Sequence, residues 1–92
     1  MKRELSFTKN AQNDYTEAYF WYNQIESELA NKFSDEIEKL LSRILDNSEQ
    51  FPIVESETRR AVSKQFPYGI FFLIDENRIV VTAILHHRRE PR

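Results

Sequence analysis

His86 and His87 stand side by side near the end of the chain, and Arg88 and Arg89 follow them directly. Imidazole exchanges protons near neutral pH, so either histidine can serve as a general acid or base. Arg59, Arg60 and Lys64 form a second basic group, with Tyr68 shortly after it. Arginine's planar fork suits carboxylate and phosphate. A metal-independent ribonuclease needs a base for the 2′-hydroxyl proton, an acid for the leaving oxygen and cations for the charged transition state. Histidine, Tyr68 and the arginines supply all three types. The same cations also suit an acidic protein segment, or simply discourage sheet-to-sheet pairing at an edge strand.

Composition removes most other chemistries. The chain has 92 residues, the length of one small domain. Its one glycine, Gly69, rules out Walker A loops, dinucleotide fingerprints and nucleophile elbows. Without cysteine there is no disulfide, thiolate nucleophile or zinc finger. No metal or cofactor is expected, because the two histidines are consecutive and consecutive strand residues point to opposite faces. Residues 1–50 carry 6 basic and 10 acidic side chains, whereas residues 51–92 carry 7 and 5. A net charge of -2 argues against a general nucleic-acid coat but leaves room for a local basic site. The start of the chain has no apolar run, and the longest one lies near residues 70–74, far short of the roughly 20 residues that span a bilayer. The expected location is the cytoplasm, with no membrane contact.

These residues must be positioned by a small number of elements. Arg3, Leu5 and Phe7 alternate with Glu4 and Ser6, which predicts a short strand. Thr8 or Asn10 can cap a helix over about 9–26, with Ala11, Tyr15, Ala18, Tyr22 and Ile25 along one stripe. Tyr19, Phe20 and Trp21 thicken that stripe and are expected in the core. A second helix over about 29–47 presents Leu29, Phe33, Ile37, Leu40, Leu41, Ile44 and Leu45. So short a link makes the two helices an antiparallel hairpin. Residues 47–57 read as a loop around Pro52. Thr58–Gln65 reads as a polar strand, with Arg60, Val62 and Lys64 on one face and Arg59, Ala61 and Ser63 on the other. Arg60 and Lys64 would then lie about 13 Å apart, at roughly 3.3 Å per residue. Residues 66–74 and 78–86 are apolar on both faces and read as central strands around a turn at Asp75-Glu76-Asn77. In the last of these, Ile79, Val81, Ala83 and Leu85 are expected opposite Val80 and Ile84. The predicted class is α+β, in the order β-α-α-β-β-β, with a helix hairpin on one face of a mainly antiparallel sheet. The pattern leaves open where the first strand lies and in which direction it runs.

That order, the segment Arg59-Arg60-Ala61-Val62-Ser63-Lys64-Gln65-Phe66-Pro67-Tyr68 and the ending Leu85-His86-His87-Arg88-Arg89-Glu90-Pro91 resemble the RelE/ParE toxin superfamily. Trp21-Tyr22 late in the first helix and Phe33 early in the second agree with it, and the resemblance spans nearly the whole chain. It implies the toxin of a type II toxin–antitoxin pair, in a hetero-oligomer with a cognate antitoxin. The Phe-Pro-Tyr segment and the His-x-x-Arg-x-Pro ending look more like ParE-type or plasmid-stabilisation proteins, which bind DNA gyrase. The RelE-type alternative, a ribosome-dependent mRNA endonuclease, would use His86, His87 and Arg89 at the reacting bond. Arg59, Arg60, Lys64, Tyr68 and Arg88 are expected to hold phosphate or a partner. A third reading is an inactive member that retains only antitoxin binding.

Overall fold

A computed structural model describes residues 3–87 of the chain. Strand β1 (Glu4–Phe7) leads straight into helix α1 (Lys9–Ile25). The junction is Thr8, whose extended backbone and Oγ1 cap the helix by accepting the Ala11 N–H at 3.1 Å. Helix α1 ends at Glu26, which is extended, and helix α2 (Ser27–Asp46) begins one residue later. A single-residue link folds the pair into a hairpin. Ala30, Phe33, Ile37, Leu40 and Ile44 recur on α2 at spacings of three and four and form its buried stripe.

A 3₁₀ turn at Ser48–Gln50 precedes β2 (Ile53–Glu55), β3 (Thr58–Val62), β4 (Tyr68–Asp75) and β5 (Arg78–His86). The sheet order is β1-β5-β4-β3-β2. Strands β2 to β5 form an antiparallel meander, and β1 closes the other edge parallel to β5. This settles the position of the first strand. Both central strands, β4 and β5, are flanked on each side, as their unbroken apolar runs require. The helix hairpin covers one face, where Ala61, Ile70, Phe72, Ile79, Val81 and Ile84 join the helix stripes in the main core. Phe71, Ala83 and Leu85 form a smaller buried cluster on the opposite face.

Four expectations from the sequence are corrected. Residues 53–55 are a strand, because Ser56 takes up a left-handed backbone (φ 50°) and turns the chain back into β3 without glycine. Strand β3 stops at Val62, so Lys64 and Gln65 lie in the following bend and the strand spacing of Arg60 and Lys64 does not apply. In β5 the partners shift: Phe71 faces Ala83 while Phe72 faces Val81, so Thr82 is an extra residue in a β-bulge. The bulge reverses the alternation, placing Ile84 with Ile79 and Val81 in the core and Ala83 and Leu85 on the other face. Finally, Phe20 and Trp21 are 58% and 60% exposed. Consecutive helix residues turn by about 100°, so the run 19–21 is too wide for one buried face.

Candidate functional site

Tyr68 opens β4 and His86 ends β5, directly opposite each other. Tyr68 has the parity of Ile70 and Phe72 and faces the helices. The bulge gives His86 the parity of Ile84 and brings it to the same face. Their rings meet edge-on with centroids 5.4 Å apart. Behind Tyr68 lies an aromatic cluster: Phe33 at 5.2 Å, Tyr22 at 6.2 Å, and Phe66 against both Phe33 and Tyr22. Burial, and then the neighbouring Tyr68, push the Tyr22 hydroxyl above its usual ionisation range. Tyr22 is therefore neutral at physiological pH and is no base.

Tyr68 and His86 form the floor of a cleft of about 340 Å³ at the sheet end, walled by Asp14, Glu17, Ala18 and Trp21 of α1 and by Ile84. Asp14 is buried and its Oδ2 accepts the Ile84 N–H at 3.0 Å, fastening α1 to β5 just past the bulge. Two carboxylates and an exposed tryptophan thus surround the histidine. The sequence reading missed Asp14. Its signal was a carboxylate on the stripe of Ala11 and Ala18, three residues from one and four from the other. Ser63 was also missed. It is buried, donates its hydroxyl to Glu36 at 3.3 Å and accepts the Phe66 N–H at 3.2 Å, which shapes the bend that delivers Tyr68.

Arg59 and Arg60 do not converge on this cleft. Arg59 shares the helix side with Ala61, but its Nη1 donates to the Phe51 carbonyl at 2.6 Å and the Glu49 carbonyl at 3.2 Å, securing the 3₁₀ turn. Arg60 points to the opposite face. Its aliphatic stem crosses Gly69, where an added Cβ would lie 3.4 Å from Cγ. There Arg60 borders a second cleft of about 570 Å³ with Glu55, Thr58, Phe71, Thr82 and Asn10. Lys64 is exposed in the bend. His87 is exposed, and its backbone N–H donates to the Pro67 carbonyl at 2.7 Å, so it leaves the sheet beside the Phe-Pro-Tyr segment. Arg88 and Arg89 lie outside the described residues.

Fold and surface define a small α+β protein with a helix hairpin on one face of a mixed sheet and clefts on both faces. No helix among the described residues is long and apolar enough to cross a membrane. The family model for the ParE toxin of type II toxin–antitoxin systems, parDE, matches residues 5–91, and the chain belongs to that family. Membership implies a cognate antitoxin as partner. Among solved structures it is similar to a chain of the chromosomal ParDE toxin–antitoxin system from P. aeruginosa, with a TM-score of 0.80 and 19% identity over 91% of this chain and 95% of that one. No curated protein matches it in sequence.

Proposed function

We propose that this toxin arrests growth by binding DNA gyrase and cleaves no RNA. The observation that supports this reading is the separation of Arg59 and Arg60, among the described residues, from Tyr68 and His86. Tyr68 and His86 lie on the helix face, in a cleft walled by Asp14 and Glu17. Arg60 lies on the opposite face, three residue steps along the sheet from the row of Ser63, Tyr68 and His86. Their backbone positions are thus roughly 10 Å apart along the strand, with the side chains on opposite faces of the sheet. Arg59 is committed to two backbone carbonyls. One scissile phosphate does not reach Arg59, Arg60 and His86 together, and carboxylates beside His86 repel the charge a nuclease must attract. A protein partner tolerates mixed charge and gains from exposed aromatic surface such as Trp21.

In this reading Arg60, Lys64, Tyr68, His86, His87, Arg88 and Arg89 belong to partner-binding surfaces. The test is to induce the wild-type chain and map the ends of translated messages by toeprinting during the arrest. The expected result is arrest with intact messages. New message ends that disappear in His86→Ala would overturn the reading in favour of ribosome-dependent cleavage.

A further inference from the structure

Between Lys9 and Lys32 the chain carries no lysine or arginine, but it carries Asp14, Glu17, Glu26 and Glu28. This run includes nearly all of α1 and its junction with α2. The last turn of α1 has no basic side chain, so the partial negative charge of the helix end is left without a cation of its own. The same end of the helix leaves Phe20, Trp21 and Ile25 exposed. Glu17, Trp21 and Ile25 follow one another at spacings of four and share one face. An acidic stretch thus carries exposed apolar surface, and a carboxylate stands one turn from the indole.

That stripe borders the cleft floored by Tyr68 and His86. Glu17 and Trp21 line its wall, and no described lysine or arginine does. Glu17 is exposed and makes no hydrogen bond or ion pair among the described residues. Asp14 is buried and engaged by the Ile84 amide. Aromatic walls beside an available carboxylate favour a flat, weakly hydrated cation. A guanidinium is such a group: it stacks on aromatic rings and forks onto a carboxylate. A lysine ammonium holds its water more tightly and pairs as a point charge. A phosphate or an acidic segment is repelled by Asp14 and Glu17. A wholly apolar side chain would strip water from Glu17 and return no hydrogen bond. At about 340 Å³ the cleft lies near the lower end of the size range of small-ligand pockets, about 300–1,000 Å³, which suits one long side chain.

We infer that this toxin engages gyrase through an arginine of the target, which stacks on Trp21 and pairs with Glu17 at the mouth of the Tyr68–His86 cleft, with Phe20 and Ile25 as flanking apolar contacts. The inference rests on the reading that the chain inhibits gyrase by binding it. The test titrates purified gyrase with the full-length chain and with variants at exposed positions, each checked for the wild-type fold by circular dichroism. Trp21→Ala should raise the toxin concentration for half-inhibition of supercoiling by at least about fivefold, Glu17→Gln by about threefold to tenfold and Glu17→Arg by more than about tenfold. Glu57→Arg makes the same change in net charge in the β2–β3 turn and should stay within about twofold. Trp21 is the one tryptophan of the chain, so its emission reports the site without gyrase. At low ionic strength and millimolar concentration, acetyl-Ala-Arg-Ala-amide should shift that emission, less so in Glu17→Gln, and acetyl-Ala-Glu-Ala-amide should leave it unchanged. Wild-type potency in Trp21→Ala or Glu17→Arg would overturn the inference, the former even if Glu17→Arg is weak. An equal loss in Glu57→Arg would overturn it in favour of net charge, and an emission shift with the concentration of the chain alone would do so in favour of a second copy as occupant. No preference for the arginine peptide over the glutamate peptide would also overturn it. Failure of the gyrase reading looks different: the wild-type chain would leave supercoiling intact while its Trp21 emission still responded to the arginine peptide.

Discussion

Asp14 is the most informative residue to perturb. Its carboxylate is buried and accepts the Ile84 amide at 3.0 Å, and Ile84 is itself 2% exposed. The bond crosses from α1 to the first core position after the Thr82 bulge, so it holds the segment that brings His86 beside Tyr68. A hydrogen bond to an ionised group contributes about 1.5–3 kcal/mol, and orphaning a buried amide costs about 1–3 kcal/mol. These are two views of one loss, so Asp14→Ala should destabilise the fold by about 2–3 kcal/mol. Asp14→Asn keeps a carbonyl acceptor at the same reach and should lose about 1 kcal/mol. Urea denaturation should show the midpoint falling at constant slope, and the Tm should drop by about 10–20 °C for Asp14→Ala. Exchange of the Ile84 amide should accelerate in both variants, most in Asp14→Ala. A loss below about 0.5 kcal/mol in Asp14→Ala, the size of an ordinary surface change, would refute the idea that this contact fastens helix to sheet.

Three further outcomes follow from the same structure. Phe72→Asp puts an unpaired carboxylate at a fully buried position of a central strand, and circular dichroism should find the domain unfolded; a cooperative transition would contradict the placement of β4. Glu76 turns the β4–β5 hairpin with a left-handed backbone (φ 52°), so Glu76→Gly should raise stability by about 0.5–1 kcal/mol; a fall in Tm would contradict the turn geometry. Folding raises the ionisation range of Tyr22 above the ordinary 10.0, so it favours the neutral phenol, and that contribution is complete below pH 10 and lost as pH climbs through the folded value. Tyr22→Phe should therefore flatten the loss of stability between pH 9 and 11, read by urea denaturation at each pH.

Much of the fold is legible in the sequence because its periodicities are strong. Five alternate or continuous apolar segments mark β1, α1, α2, β4 and β5, and their order matches the family. What remained hidden was set by single residues that carry no local signal. Ser56 adopts a left-handed turn that composition assigns to glycine or asparagine, and the β2 edge strand went unseen behind it. Thr82 bulges in an otherwise regular strand, and its hydroxyl donates to the Phe71 carbonyl at 3.3 Å. Without that bulge, alternation puts Ala83 and Leu85 on the face of Ile79 and Val81. The parallel pairing of β1 with β5 is a long-range contact that pattern does not encode. Of the candidate site, Tyr68 and His86 are brought together, whereas Arg59 and Arg60 diverge because adjacent strand residues face opposite ways. Charge counts along the chain cannot register that difference.

The central claim, inhibition by binding, is tested most directly by supercoiling of relaxed plasmid by purified gyrase in the presence of this chain. The expected result is a progressive loss of supercoiling as the toxin approaches molar excess, reversed by adding its antitoxin. Undiminished supercoiling at large excess of a correctly folded chain would contradict it.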